Sequence, residues 1–321
     1  MIRLMCKSFL PHRWMIKTKM FHPSLERLRE LANPSADGSP EDMASSSREF
    51  SRIHQNLQLR GIWKWTGRHR LEQMDRLLLE HASARGLPQC LVLDLGASDG
   101  ITSLDTVEYF EQKGGKAVRV TMLDQDVRIY GMPVRYATLY FTASRCPLLL
   151  RLGKIGLCLE PMEGIEGVLF NPVAAFLARR CKRLLESSEL EGAHAISLIN
   201  PAVTRCPRID VSEGDMFSLR TEWVGQFDAV RASNVLNFSY YSEERIRDAI
   251  GLAHRYLKEG GAFLVSRNTI RKQDEVEAGA LWRKQGNRFV RKSELDNVPE
   301  IAGLVDRFVS SLDCVPATAQ P

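Results

Sequence analysis

The sequence predicts an α/β fold on a mostly parallel sheet, and three observations carry that reading. An apolar run, Leu91-Val92-Leu93-Asp94-Leu95, leads directly into a glycine turn, Gly96-Ala97-Ser98-Asp99-Gly100, with a helical pattern beyond it. From there strand-like and helix-like stretches alternate, the order expected when parallel strands are joined by helical crossovers. The 321 residues are 44% hydrophobic and 26% charged, enough apolar surface for one large α/β domain with additions, or for two domains.

Each element has a local reason. The first strand is predicted over Leu91–Leu95, and a helix from Thr102 to Gln112 ends at Gly114-Gly115. Val118–Leu123 makes the second strand and leaves Asp124 at its carboxyl end. Further strands are predicted at Ile209-Asp210-Val211 and Phe227–Ala232. Ser242 is a good N-cap, and Glu243 and Glu244 suit the positive start of a helix. Ile246, Ile250, Ala253 and Leu257 form an apolar stripe at helical spacing, and Gly260-Gly261 is the expected stop. Strand Ala262–Ser266 follows. Ala280–Arg283 and Arg288–Arg291 flank Gly286-Asn287 and predict an antiparallel hairpin, before a final helix over 299–312. The sum is a Rossmann-like sheet of about seven strands with helices on both faces.

Between Asp124 and Ile209 the spacing far exceeds a crossover of a dozen or so residues, which predicts a large insertion over 127–208. Within it, Asn171 and Pro172 read as a helix start, with Val173, Leu177, Cys181 and Leu184 along one face, and Ala195–Ile199 as a short extra strand. The stretch 128–170 is rich in apolar residues such as Tyr136, Leu139, Tyr140, Phe141, Leu148, Leu149 and Leu150, and is expected to form a lid over a ligand. Upstream, residues 33–47 read as a linker and 48–85 as helical, with Ile62, Trp63 and Trp65 near the middle. The expected organisation is a basic N-terminal segment and linker (1–47), a helical extension (48–90), and the main domain (91–321) carrying the insertion.

The formal charge of +5 is mild and gives no argument for nucleic acid. Residues 127–208 alone carry a balance of +5. The first 22 residues hold Arg3, Lys7, Arg13, Lys17 and Lys19 and no acid, but charges interrupt every apolar run that a signal peptide would need. Seven cysteines without a C-x-x-C pair predict reduced thiols in the cytoplasm and no structural metal. No uninterrupted run of about 18 apolar residues, the length that would predict a spanning helix, occurs in the sequence.

Val92–Gly100, Asp124, Gly214-Asp215 and Phe227–Leu236, in that order, resemble the class I S-adenosylmethionine-dependent methyltransferases. The resemblance covers roughly 91–292 without the insertion. It implies S-adenosylmethionine as cofactor. Asp94 and the turn of Gly96, Ala97, Ser98 and Gly100 would hold its methionine part, and Asp124 would accept the ribose hydroxyls, with Asp126 as the second choice. Asp215 would lie near the adenine amine, with Met216 or Phe217 on the ring. Ser233 and Asn234 would face the cleft, and Asn234 is the candidate catalytic residue that orients the acceptor. Tyr240 and Tyr241 are candidates both for a pocket wall and for core packing. The spacing from Asp94 to Asp124 is longer than the resemblance implies, so the choice between Asp124 and Asp126 stays open.

Other readings fit less well. A dinucleotide site would show G-x-G-x-x-G, which the turn lacks, and Asp99 would repel a pyrophosphate. A P-loop and an H-E-x-x-H motif are absent, and a serine-hydrolase reading is set aside. No N-P-P-Y-type tetrad stands at 233–238, which argues against methylation of nucleobases. The expected reaction is methyl transfer to an O or N nucleophile of a small or lipid-like molecule. The rival reading is a non-catalytic scaffold that docks a membrane or protein partner through 128–170.

Overall fold

The computed structural model describes residues 25–33, 39–55, 57–59, 62–64, 66–114, 117–153, 155–159, 165–187, 190, 192–271 and 274–310. In chain order the longer helices are α1 (Leu25–Ala32), α2 (Pro40–His54), α3 (Glu72–Ala84), α4 (Ile101–Tyr109), α5 (Ile165–Ser187), α6 (Glu243–Tyr256) and α7 (Ala302–Asp306), with single helical turns at Pro201–Thr204 and Thr221–Trp223 between α5 and α6. The strands are β1 (Gln58–Leu59), β2 (Ile62–Trp63), β3 (Gln89–Leu95), β4 (Ala117–Asp124), β5 (Arg128–Val134), β6 (Ala137–Thr142), β7 (Pro147–Leu152), β8 (Ile155–Cys158), β9 (His194–Ser197), β10 (Ile209–Glu213), β11 (Phe227–Ser233), β12 (Leu257–Arg271), β13 (Asp274–Gln285) and β14 (Arg288–Glu294). They fall into two units: Met1–Thr66 with Asp126–Ala202, and Gly67–Gln125 with Val203–Pro321.

The second unit carries a seven-stranded sheet in the order β10-β4-β3-β11-β12-β13-β14. The first five strands are parallel, and β13 and β14 each run antiparallel to the strand before. The expected Rossmann-like α/β fold and its C-terminal hairpin are therefore observed. β3 and β11 are buried on both faces, as central parallel strands are. Leu93, Leu95, Val230, Ala232, Phe263 and Val265 pack on one side with Ile246, Ile250 and Ala253 of α6. From β3 the chain moves to β4 and β10 on one side, then returns to β11 on the other. Crossovers that leave one strand in opposite directions open a crevice at the carboxyl ends, here between β3 and β11.

Several local expectations change. α6 stops at Tyr256, and Gly260-Gly261 lie inside β12, because Leu257 turns extended and pairs with Phe227 of β11. The last helix is the short α7, and residues 311–312 of the expected helix lie outside the described residues. The 101–114 helix changes character midway, with a π-helical turn over Phe110–Gly114.

In the first unit, five antiparallel strands stand in the order β8-β7-β6-β5-β9. The α1 and α2 helices cover one face through Leu28, Leu31, Phe50 and Ile53, which meet Ile129, Tyr140 and Leu149. The other face holds Met132, Leu139 and Phe141 against Cys181 and Leu185 of α5. The expected apolar lid is thus a sheet with its own core, since Leu139, Tyr140, Phe141, Leu148 and Leu149 are all buried. Strand β9 joins this sheet and not the parallel one. The expected linker holds a helix start: the Ser39 side chain accepts the Asp42 amide and Asp42 reaches back to the Ser39 amide, a reciprocal cap. The expected helix over 48–85 is two helices with the β1–β2 pair between them. Pro172 lies inside α5, which begins earlier at Ile165. The basic segment 1–22 and Trp65 lie outside the described residues. No helix among the described residues is long and apolar enough to cross a membrane.

Candidate functional site

The glycine turn after β3 is built by backbone demands. Gly96 has φ +66°, and a Cβ there would sit 2.8 Å from a methyl of Val235. Gly100 has φ +82° and begins α4 against Met122 and Val203. Only glycine meets both conditions without strain. Ser98 also has positive φ, 62°, which costs a residue with a Cβ free energy that its surroundings must supply.

The turn is tied to β4. The Gly96 and Ala97 amides donate to the Leu123 carbonyl at 2.8 and 3.3 Å, and the Ser98 amide donates to Asp124 Oδ2 at 2.8 Å. The Gly214 amide donates to the Asp124 carbonyl at 3.0 Å. Asp124 is therefore the joint between the loop after β3 and the loop after β10, while Asp126 belongs to the other unit.

Beside this joint stands a half-polar wall. Asp215 accepts the Phe217 amide at 3.0 Å, and Arg245 lies 4.0 Å from its Oδ2 and 4.1 Å above the Phe217 ring. Phe217 meets Tyr241 edge-on, with ring centroids 4.9 Å apart. Burial pushes the Tyr241 phenol up to about 12, and the charges of Asp215 and Asp124 push the same way. The chain links these groups in space: the Gly214 amide bonds the Asp124 carbonyl, Asp215 follows Gly214, and Phe217 carries the ring contact with Tyr241. Met216 is a different case: it is buried in the hydrophobic cluster with Leu123 and Val235, so of the expected pair Phe217 is the ring on the wall.

Two expected site residues have other work. Asp94 is buried and paired: Arg231 Nε lies 3.1 Å from Oδ1, Arg231 Nη2 bonds Oδ2, and the Ser103 hydroxyl donates to Oδ2 at 2.6 Å. The β3–β11 register sets Arg231 directly beside Asp94. Arg231 Nη1 also reaches Asp75 Oδ1 at 3.0 Å, and Thr106 donates to the same oxygen at 2.7 Å. Burial raises Asp75 to about 7 even with Arg231 beside it. Burial alone would lower the Arg231 guanidinium, but Asp94 and Asp75 hold it above its usual range. Asp94 is thus held in the core by Arg231 and Ser103.

Asn234 stands at φ 60°, a conformation Asn tolerates. Its Nδ2 donates to Asn268 Oδ1 at 2.8 Å and its Oδ1 accepts the Asn268 amide at 2.7 Å. These two bonds make Asn234 a clamp between the ends of β11 and β12. Ser233 Oγ accepts the Ser266 hydroxyl at 2.9 Å.

Arg231 was not singled out from the sequence, although it and Asp228 are charges inside the otherwise apolar strand Phe227–Ser233. Nor were Asp75, Ser103 and Asn268, which no local pattern marks. One further spelling needed geometry: Gly96-Ala97-Ser98-Asp99-Gly100 does read G-x-S-x-G between a strand and a helix. A serine nucleophile needs a base in hydrogen-bond reach. The Ser98 hydroxyl is buried with no hydrogen-bond partner among the described residues, so the hydrolase reading fails on geometry and not on spelling.

No protein-family model matches this sequence, and no curated protein matches it. Among solved structures, the chain is similar to the YcgJ protein from Bacillus subtilis, at 16% identity over 63% of this chain and 53% of that one, TM-score 0.28. It is similar to the trans-methyltransferase CalH in complex with SAH, at 15% identity over 62% of this chain and 37% of that one, TM-score 0.30. It is also similar to an O-methyltransferase family protein from Burkholderia thailandensis, at 16% identity over 77% of this chain and 49% of that one, TM-score 0.30. The chain spans between 37% and 53% of these three structures. Likeness this distant carries no argument about activity, which has to come from the residues.

Proposed function

We propose that the chain transfers a methyl group from S-adenosylmethionine to an O or N nucleophile of a small or amphipathic molecule. The observation that carries this reading is the joint at Asp124. A carboxylate at the end of β4 accepts the amide of the glycine turn, and Asp215, Phe217 and Tyr241 stand beside it. This is a set of acceptors and ring faces suited to a nucleoside: a carboxylate is a natural acceptor for a ribose diol, and an aromatic wall suits adenine.

The turn supports the same fit. The buried Ser98 hydroxyl has no hydrogen-bond partner among the described residues. Gly96 and Gly100 keep the backbone bare where a Cβ would collide. The charge pattern separates this cofactor from a dinucleotide: Asp99, Asp124 and Asp215 would repel a pyrophosphate but tolerate a cationic sulfonium.

When bound, the cofactor would supply an electrophilic methyl carbon. The residues of this chain then have to hold and orient. Asp124 would bind the ribose, Asp215 and Phe217 the adenine, and the Gly96, Ala97, Ser98 and Gly100 turn the methionine part. The ends of β11 and β12, fixed by Ser233–Ser266 and Asn234–Asn268, would shape the acceptor side. Alignment of two reactants in a dry cleft can contribute roughly 7–11 kcal/mol, so a dedicated base is not required.

The test is calorimetry of the full chain with S-adenosylhomocysteine, with NADH as the comparison ligand. Binding of the first and not the second supports the proposal. Binding of neither, or of NADH alone, overturns it.

A further inference from the structure

The outer face of α5 is built unlike any other described helix. Its inner face is spent on the sheet, through Cys181 and Leu185 packed on Met132, Leu139 and Phe141. Its outer face carries Val173, Phe176 and Leu184, which are 55%, 57% and 37% exposed. These stand at i, i+3 and i+11, so they share one stripe. Arg179, Arg180 and Arg183 are exposed on and beside that stripe. The Arg180 guanidinium lies 5.5 Å from the Phe176 ring centroid. The only acid with a described side chain on this helix, Glu186, faces Lys182 at 3.9 Å, and among the described residues no acid forms an ion pair with the three arginines.

A large apolar side chain in water is ordinary when single. Three in one stripe, flanked by three arginines, call for a partner that takes both apolar groups and positive charge. Polynucleotide phosphates would satisfy the arginines but leave Val173 and Leu184 wet. An acidic protein groove would need matching pockets. A lipid surface with anionic headgroups takes both at once, with the rings and aliphatic chains in the interface and the guanidinium groups among the phosphates. The surplus positive charge of residues 127–208 has the sign such a surface attracts.

We infer that the outer face of α5 docks the protein on an anionic lipid surface, lying in the interface without crossing it. This differs from the docking expected for 128–170, whose apolar side chains are largely buried. It does not rest on the methyl-transfer reading.

The experiment is flotation of the full chain with phosphatidylcholine vesicles, with and without phosphatidylserine. Binding is expected only with phosphatidylserine and should weaken as salt rises. Each cation at such a surface contributes roughly fivefold, so the triple variant Arg179→Gln, Arg180→Gln, Arg183→Gln should lose on the order of a hundredfold in partitioning. Phe176→Ser should lose about tenfold by removing the apolar contact. Both variants change exposed positions only, and unchanged circular dichroism and Tm would confirm folding. Absence of binding to anionic vesicles, equal binding to neutral ones, or two variants that bind like the parent would each overturn the inference. So would tight binding of a single-stranded RNA with no vesicle binding.

Discussion

Two carboxylates stand at the ends of neighbouring strands, Asp94 near the end of β3 and Asp124 at the end of β4, and they do opposite things. Asp94 is 2% exposed and locked to Arg231 and Ser103. Asp124 is nearly as buried, at 5%, and accepts the amide of a loop residue, Ser98. Burial does not separate them. The neighbours do: an arginine at the same register on the next parallel strand ties one acid into the core, while the other takes the Ser98 amide of the glycine turn.

The comparison breaks most visibly at Arg231. Arg231→Leu strands Asp94 and Asp75 without their cation, and a buried pair broken on one side costs about 3–5 kcal/mol. Urea unfolding should show that loss, and a variant that also carries Asp94→Asn and Asp75→Asn should recover much of it. A single variant as stable as the parent would mean that the cluster is not a unit.

Asp124→Ala is the counterpart. Loss of a charged hydrogen-bond acceptor costs about 1.5–3 kcal/mol, so S-adenosylhomocysteine affinity should fall roughly 10- to 100-fold by calorimetry, with a much smaller change in Tm. The reverse pattern, a large stability loss with affinity intact, would place Asp124 with Asp94 among the structural acids.

Glu277 sharpens the same contrast by pH. Burial, with Asp75 nearby, raises its carboxyl to about 8, and its Oε1 has no hydrogen-bond partner. The folded chain keeps this proton where the unfolded chain has lost it, so the group lowers stability as pH rises from the ordinary carboxylate range through about 8. Glu277→Gln should therefore gain about 1–2 kcal/mol above that window and little at acid pH, read as Tm against pH. An equal change at both ends would assign the effect to packing.

The smallest effect is expected at Tyr241. Tyr241→Phe keeps the edge-on contact with Phe217 and removes only a hydroxyl, so stability should move by less than about 1 kcal/mol and ligand affinity by a few-fold. A loss as large as that of Asp124→Ala would mark the phenol as a direct ligand contact.

The strand–turn–helix over 89–109 was legible because each step has a local cause. An apolar run buried on both faces reads as a central strand, and glycine at positive φ reads as a turn. The hairpin at Gly286 and the cap at Ser242 were legible for the same reason. The insertion was legible by length and misread in form, because alternating apolar residues such as Leu139 and Phe141 face a helix that starts elsewhere in the chain. Likewise Ser39 was hidden by a composition that also suits linkers.

What the sequence determined alone was the parallel sheet, its order of elements and the positions of Asp94, Asp124 and Asp215, since backbone propensity and apolar pattern are local properties. What only the tertiary structure decided was which of these acids pairs with Arg231 in the core. That choice depends on Arg231 lying opposite Asp94 across two strands more than a hundred residues apart, and the energy of a buried charge is set by neighbours in space, which sequence distance does not encode.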